Sequence, residues 1–372
     1  MKKRMEKNRA LAMLSILFLL LAAVTGCGGG NNETSGNSGG TGGDATGSED
    51  TESPGIENTG QHFDWVLGTS YNDPVARPNY NNFGDTVNWF CELVDEKTNG
   101  QVTVTPYYNS LLGTQPELFQ QLRENEIQVF IGQPMSTVDS RFGFWSLPGL
   151  FSTYDEVAAK FTSPDSELYQ LADSIMQEKN VSLIGNSVGV LRWYFNTKKE
   201  IQVPADMKGL TTRVYEDTIC QTYFSGLCSA VIVPAADLLM SLQTGIIDGT
   251  DHTAAYAVSN LYESCKFAAD INWQWTWGGA VVANNDALNS LPDDLRQAVT
   301  EAAQEVSERY NAAYPETEKN AAEELTNKGV NVYKLTNSDR EAWEEYADSL
   351  TSAMRNAIGA DFYDEALAIV EK

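Results

Sequence analysis

The sequence predicts an α/β protein with two lobes. From residue 61 onward, short apolar runs of strand length alternate with segments whose apolar residues recur at helical spacing. Strands that alternate with helices favour mostly parallel sheets covered by helices, with ligands bound at the carboxyl ends of the strands. The chain has 372 residues, of which 42% are hydrophobic. Because this length exceeds the size at which a single core keeps growing, two lobes are expected.

The first sixty residues predict a lipoprotein signal followed by a tether. Five basic residues precede the apolar run 11–24, and Cys27 follows the small residue Gly26. This order resembles the bacterial lipoprotein signal, so residues 1–26 are predicted to be removed and Cys27 to be lipidated; an ordinary signal peptide is the alternative. Residues 28–60 contain 11 glycines, which is typical of a flexible tether. The protein is therefore expected to be extracytoplasmic, anchored to the outer face of the bacterial cell membrane only by lipid.

The element pattern can be followed along the chain. Strands are predicted at 63–68, 102–107, 127–131, 181–185, 190–196, 211–214 and 230–233. Apolar residues at helical spacing predict a helix that starts near Phe83 and ends at Asn99-Gly100, and a second one at 117–123. A long helix opens at 290–294 with two acidic residues in its first turn, and Pro315 is expected to kink or break it. Further helices are predicted at 316–328 and 338–357.

The charge balance excludes several partners and sites. The chain has 25 basic and 51 acidic residues, and its net charge of −26 argues against binding to nucleic acid. His62 and His252 are its only histidines, which leaves little room for a multi-histidine metal site or a catalytic triad. No metal and no cofactor are therefore expected.

Three stretches of the sequence carry a family signature. The first comprises TNGQV at 98–102 and, further on, LPGLF at 147–151; the second is PADMKGLTTRV at 204–214, and the third is DLLMSLQTGIIDG at 237–249. Together they resemble the substrate-binding proteins of tripartite ATP-independent periplasmic (TRAP) transporters, the C4-dicarboxylate-binding (DctP) family. The second and third stretches, at this separation, are the specific ones.

The resemblance implies a two-lobed clamshell of the type II periplasmic-binding-protein kind, with a long kinked helix that spans both lobes. Lobe I is expected to comprise 61–189 and 279–317, and lobe II 190–278 and 318–372. The implied function is capture of an organic acid by lobe closure and its delivery to the membrane subunits of a TRAP permease, without catalysis. The protein is expected to be a monomer.

The resemblance also implies that two arginines bind a ligand carboxylate. Arg213 occupies the place of the family arginine that pairs with the substrate, and a guanidinium can hold a carboxylate through two parallel hydrogen bonds. Arg213 lies near the end of a predicted strand, where ligands of α/β proteins bind; the alternative is that it pairs with an acidic residue of the chain. Arg192, in GVLR at 189–192, occupies the place of a second family arginine, although the glycine stands one position early.

Further ligand contacts are expected from both lobes. His252 stands where the family usually has an asparagine; it can donate to a carboxylate or hydroxyl and becomes cationic if an anionic partner raises its pKa. A hydrogen bond within the lobe is the alternative. Trp275, the middle of three tryptophans at alternate positions, is predicted to stack on the ligand or seal the cleft. The remaining candidates are Ser70, Tyr71, Gln133 and Asn285. Gln133 replaces a glutamate of some members, which suits an organic anion without an amine.

Four cysteines remain after Cys27 and allow three complete disulfide pairings, among which the sequence does not choose. Cys91 is expected to be a buried thiol in a helix. Two other function classes remain as alternatives to the binding protein. A membrane-tethered ligand sensor could use the same clamshell. A secreted hydrolase is the other, although no nucleophile elbow, metalloprotease motif or phosphate loop is present.

Overall fold

Two mixed β-sheets with helices on their faces make up the computed structural model, which describes residues 56, 60–74, 83–151, 153–187, 189 and 191–372. The strands are β1 Phe63–Gly68, β2 Val102–Tyr107, β3 Val129–Gly132, β4 Val181–Ser187, β5 Trp193–Asn196, β6 Thr211–Val214, β7 Ser229–Ile232, β8 Gly249–His252, β9 Phe267–Ala269, β10 Gly279–Asn284 and β11 Asn331–Tyr333. The predicted signal, Cys27 and most of the tether lie outside the described residues.

Helices follow most of the strands, as the alternating pattern predicts. They are α1 Phe83–Lys97, α2 Gln115–Arg123, α3 Tyr154–Val157, α4 Glu167–Gln177, α5 Thr218–Ser225, α6 Leu238–Gln243, α7 Ala254–Asn260, α8 Asn285–Ser290, α9 Asp293–Asn327, α10 Asn337–Ser349, α11 Thr351–Ile358 and α12 Ala360–Val370. Short 3₁₀ segments lie at Ser140–Ser146, Pro204–Met207 and Ala235–Asp237. Among the described residues, no helix is long and apolar enough to cross a membrane.

Each lobe contains one sheet, and each sheet includes a strand that arrives from the other lobe. The lobe I sheet has the order β2-β1-β3-β10-β4, and the lobe II sheet has the order β11-β9-β5-β8-β6-β7. The chain crosses from β4 to β5 and returns from β9 to β10, and these incoming strands are the antiparallel ones: β10 against β3 and β4, and β5 against β8 and β9. The α/β clamshell prediction is confirmed, and so is the expectation of mostly parallel sheets, because in each sheet only the crossing strand, which enters from the opposite end, runs against the others.

The long helix α9 connects the two lobes and is not broken by Pro315. It packs on α1 and β4 of lobe I and on α7 and β11 of lobe II. A proline within a helix leaves the carbonyl four residues earlier without its usual N–H donor. Here that carbonyl belongs to Asn311, and the Tyr154 hydroxyl donates a hydrogen bond to it. The helix predicted separately at 316–328 is therefore the second part of α9.

The C-terminal helices lie against both lobes. Helix α11 packs on α5 of lobe II and on the 3₁₀ segment Ser140–Ser146 of lobe I, and α12 packs on that segment and on α4. Residues 318–372 are predicted from the sequence to belong to lobe II, whereas α11 and α12 also contact elements of lobe I. A single core cluster consequently includes residues of both lobes, among them Phe142, Ile219 and Ile358.

Helix α9 packs so closely on β4 that there is no room for a side chain at Gly185. A Cβ at Gly185 would come within 2.4 Å of the Ala303 carbonyl oxygen of α9, which is backbone and cannot rotate away. We expect Gly185→Ala to lower the free energy of unfolding by about 1–3 kcal/mol, the usual cost of overpacking, measured by urea denaturation. The matched control is Gly226→Ala, where the new Cβ would meet no backbone, only the end of the Tyr346 side chain, which can shift. Equal stability losses in the two variants would contradict the tight packing of α9 on β4.

Candidate ligand-binding site

Strand register brings the predicted ligand residues of lobe II together at one end of its sheet. In β6, Arg213 pairs with Thr250 of the parallel strand β8. In β5, Trp193 pairs with His252 of the antiparallel strand β8, so the preceding residue Arg192 lies at the carboxyl end of β8. Arg192 and Arg213 therefore approach the same place from different strands, although 20 residues separate them in the chain.

Arg192 is already paired with a carboxylate of its own lobe. Its Nε donates to Oδ2 of Asp251, and its Nη2 donates to the Asp251 backbone carbonyl at 2.9 Å. The indole N–H of Trp273 donates to the same Oδ2 at 3.0 Å. Burial alone would lower the pKa of Arg192, but the charge and hydrogen bond of Asp251 together with the neighbouring Tyr215 and Cys220 outweigh it, and the pKa is raised. Arg192 is thus a charged, compensated group that positions the site.

Arg213 has no such partner. Its Nε donates to the Val233 carbonyl at 2.9 Å, and its guanidinium carbon lies 5.7 Å from the centre of the Tyr215 ring. Within the part of the chain that the structure describes, no carboxylate oxygen lies within 4.0 Å of this guanidinium. Burial and the neighbouring charge of Arg192 lower the pKa of Arg213, while Asp251 opposes them. The guanidinium groups of Arg192 and Arg213 thus have only the carboxylate of Asp251 near them, and it is paired with Arg192. One positive charge is left without a counter-charge.

A second buried acid nearby does not compensate Arg213. Asp217 precedes α5 and accepts hydrogen bonds from the backbone N–H groups of Ile219 and Cys220 and from the Ser136 hydroxyl. Burial is the largest influence on its pKa and raises it. The carboxyl group of Asp217 therefore serves the N-terminus of α5 and the contact with Ser136 of lobe I.

The contacts of His252 favour the neutral imidazole. Its Nδ1 accepts a hydrogen bond from the Thr253 backbone N–H at 2.9 Å, so its proton lies on Nε2. The ring stacks on Tyr256 with 3.7 Å between ring centres. Burial, together with the charges of Arg192 and Arg213, lowers the pKa of His252 well below its ordinary value. The cationic form, expected from the sequence only beside an anionic partner, is thus disfavoured by burial and by the charges of the two arginines.

The lobe I candidates follow the ends of β1 and β3. The Tyr71 hydroxyl donates to the Gly278 carbonyl of the crossing segment, and its ring stacks on Phe83 at 5.2 Å. Burial raises the pKa of Tyr71, and the charge of Arg192 acts in the opposite direction. Ser70, partly exposed, precedes Tyr71. Gln133 is buried and its side-chain amide lies 3.4 Å from the Ser146 hydroxyl.

Two of the sequence-predicted residues lie elsewhere. Trp273 and Trp275 both belong to the same hydrophobic core cluster. The Trp275 indole donates to the Phe151 carbonyl at 3.0 Å, whereas the Trp273 indole donates to Asp251, which with Arg192 and Arg213 forms the arginine cluster. Asn285 follows β10, which is antiparallel to β3. Asn285 therefore lies at the end of the lobe I sheet where β3 begins, opposite to the end where Gln133 lies. There its side chain forms hydrogen bonds with the side chains of Gln177 and Ser182. The placement of Asn285 in the cleft is therefore wrong, because the strand that precedes it runs away from the cleft.

Several residues of the site were missed by the sequence analysis. Asp251 carries the ion pair with Arg192, and Tyr215 lies beneath both guanidinium groups, with the Arg192 carbon 4.9 Å from its ring centre. The Tyr215 hydroxyl donates to the Gln274 side-chain oxygen at 2.8 Å. An acidic residue directly before His252 was the available signal, since a buried arginine on a neighbouring strand requires a counter-charge.

The cysteines and acidic side chains form no covalent or metal centre in the described part of the chain. Cys91, Cys220, Cys228 and Cys265 are free thiols, of which Cys91 is half-buried. Across the ranges that the structure describes, no group of three or more His, Cys, Asp or Glu side chains is placed to hold a metal ion.

Comparison with known proteins shows similarity to extracellular solute-binding proteins. Residues 74–357 match the family model DctP, described as bacterial extracellular solute-binding protein, family 7. The chain is 25% identical over 284 residues to the C4-dicarboxylate-binding periplasmic protein DctP of Rhodobacter capsulatus, covering 73% of this chain and 82% of that protein. It is 24% identical to a solute-binding protein of Chromohalobacter salexigens, covering 73% and 80%.

Solved structures share the fold. The sugar acid binding protein DctPAm of Advenella mimigardefordensis, in complex with galactonate, has a TM-score of 0.75 at 21% identity and covers 83% of this chain and 98% of its own. A TRAP periplasmic solute-binding protein of Roseobacter denitrificans with bound β-D-glucuronate has a TM-score of 0.74 at 21% identity, covering 83% and 99%.

The neutral state of His252 predicts a pH dependence of stability. In the unfolded chain a histidine takes up a proton near its ordinary pKa of about 6.5, whereas folded His252 resists protonation. The unfolded state therefore binds more protons below that pH, and stability falls as the pH falls. Between about pH 7.5 and about pH 5.5, we expect wild type to lose about 1 kcal/mol relative to His252→Gln in urea denaturation.

The exposed residue His62 offers a matched control for this measurement. The variant His62→Gln is expected to keep the wild-type pH dependence. A His252→Gln variant whose stability falls with pH as steeply as that of wild type would contradict the neutral assignment.

Proposed function

The chain belongs to the DctP family of bacterial extracellular solute-binding proteins, family 7, and we propose that it captures a carboxylate-bearing organic anion and delivers it to a TRAP transporter permease. The observation that carries this proposal is the buried, uncompensated guanidinium of Arg213 at the carboxyl end of β6. The relatives and structural neighbours are themselves solute-binding proteins, and galactonate and β-D-glucuronate are bound by two of the neighbours.

A ligand carboxylate would supply the missing negative charge. A buried cation without a counter-ion is costly, and a nearby opposite charge acts strongly where water is excluded. Nε of Arg213 is occupied by the Val233 carbonyl, so the terminal nitrogens are the groups that face a ligand. The neutral Nε2–H of His252 is a second donor to a ligand oxygen. These two groups recognise an anion without contributing a general base or a nucleophile.

Lobe closure would complete the site from the other side. Tyr71, Ser70 and Gln133 follow strands of lobe I, while Arg213 and His252 end strands of lobe II. A ligand that contacts both sets binds the closed form more tightly than the open form, and this difference in affinity drives closure. The closed form then presents both lobes to the permease subunits. In this proposal the protein is a monomer, and lipidation at Cys27 keeps it on the outer face of the membrane.

The charges of the described residues favour a ligand with one carboxylate. Arg192 and Arg213 together carry two positive charges, and Asp251 carries one negative charge between them. A single carboxylate balances the remaining charge, whereas a second one would need another cation. Galactonate and glucuronate each carry one carboxylate and several hydroxyl groups, and Nε2–H of His252 and the amide of Gln133 suit such hydroxyls. We therefore propose a hydroxylated monocarboxylate as the ligand.

Replacing Arg213 tests the carboxylate assignment. Galactonate, glucuronate and succinate are titrated into the protein by isothermal calorimetry. For any of them that binds, Arg213→Gln should weaken binding by about 30-fold or more, because truncating one side of a buried charge pair costs at least about 2 kcal/mol. Arg213→Lys should rescue only part of the affinity, since an ammonium lacks the planar fork.

The control for this experiment is Arg309→Gln, which removes an exposed arginine paired with Glu305 on α9. It should leave the affinity unchanged. Unaltered affinity in Arg213→Gln would refute the role of Arg213, and conversion of a bound acid to a product would refute the binding-protein function.

The charge argument makes a separate prediction about ligand choice. We expect the monocarboxylates galactonate and glucuronate to bind at least about tenfold more tightly than the dicarboxylate succinate, because each tenfold step needs only about 1.4 kcal/mol. Competition calorimetry at neutral pH, where all three acids are fully ionised, measures the ratio. Tighter binding of succinate would overturn the monocarboxylate proposal while leaving the role of Arg213 intact.

A further inference from the structure

A small aromatic cavity lies where the chain crosses between the lobes, apart from the arginine cluster. Its aromatic lining consists of Trp145, Phe151, Phe161, Trp275 and Trp277, and its polar lining comes from Ser187 and Thr276. Ser187 is the last residue of β4, and Thr276 precedes β10, so the two crossing segments both border it. Trp145 belongs to the 3₁₀ segment of lobe I on which α11 and α12 pack.

Three polar atoms around this cavity have no hydrogen-bond partner among the residues that the structure describes. They are Trp145 Nε1, Ser187 Oγ and Thr276 Oγ1. The exposed fractions of these residues are 2%, 1% and 5%, so bulk water does not satisfy them. The neighbouring indoles are different, because Trp275 donates to the Phe151 carbonyl and Trp277 donates to the Asn186 side chain. Each buried polar group without a partner costs about 1–3 kcal/mol, so three of them around one cavity indicate a missing shared partner.

We propose that this cavity holds one ordered water molecule bound by all three groups. The cavity has room for about one water molecule, and buried waters typically make about three hydrogen bonds. The Trp145 N–H can only donate, so the water accepts from it and can donate to the Ser187 and Thr276 hydroxyls. An organic ligand of several non-hydrogen atoms does not fit this space.

The position of the water gives it a structural role at the crossing. The crossing segments touch each other beside the cavity: a Cβ on Gly189 would lie 1.2 Å from the Thr276 carbonyl oxygen, so only glycine allows this approach. A water bound to Ser187, Thr276 and Trp145 links both segments to lobe I at the point where they leave it.

High-resolution crystal structures of the ligand-free protein test the proposal. We expect wild type to show a single water within hydrogen-bonding distance of Trp145 Nε1, Ser187 Oγ and Thr276 Oγ1. The near-isosteric variant Thr276→Val removes one of the three partners and should abolish or displace this water. The matched control is Thr317→Val, because Thr317 is equally buried but its hydroxyl already donates to the Ala313 carbonyl. The water should stay in place in that variant.

The crystal structures of wild type and the two variants distinguish a bound water from the alternatives. Density for the water in wild type and Thr317→Val, with its loss from Thr276→Val, supports the site. An empty cavity in wild type, rotation of the three groups onto protein acceptors, or a buffer molecule in the cavity would overturn it. An unmoved water in Thr276→Val would also overturn the three-partner arrangement. If Thr276→Val does not crystallise, Ser187→Ala provides the same comparison, and the wild-type structure alone remains decisive.

Discussion

The excess of positive charge at the carboxyl ends of β6 and β8 is the constraint on which the site depends. Arg192 and Arg213 share Asp251 in a buried place, where a charge that lacks a partner is expensive. The surrounding groups adjust to this charge: His252 stays neutral, and Tyr215 lies beneath both guanidinium groups. The overall acidity of the chain has little influence here, because exposed charges beyond a Debye length of about 8 Å are screened.

The two crossings between the lobes determine the rest of the architecture. Each sheet receives a strand from the other lobe, and that strand is antiparallel because it enters from the opposite end. This is why Arg192, next to a crossing, reaches the end of β8, whereas Asn285, after the returning strand, is carried to the far edge of its sheet. Helix α9 spans both lobes, and the Tyr154 hydroxyl supplies the hydrogen bond that Pro315 cannot make.

Much of the fold was predictable because its signals are local. The strands predicted at 63–68, 102–107 and 211–214 coincide with β1, β2 and β6, since apolar runs bounded by turn residues mark them clearly. The continuity of α9 was not predictable, because the partner of the Asn311 carbonyl comes from a residue 157 positions away. The protonation state of His252 was not predictable from the sequence either, since the two arginines that lower its pKa are distant from it in the chain.

The sequence by itself determined the family, the α/β clamshell and the arginine at the end of β6, because these reside in contiguous motifs and in local periodicity. Tertiary structure alone decided which arginine is compensated. Asp251 lies 59 residues from Arg192 and 38 from Arg213, and strand pairing places it against Arg192. The same long-range packing gave Trp273 and Trp275 different hydrogen-bond partners, Asp251 and the Phe151 carbonyl, although an alternating pattern gives both the same face. The charge around a side chain and its burial depend on residues that are distant in the chain. They are therefore set only when folding brings those residues together.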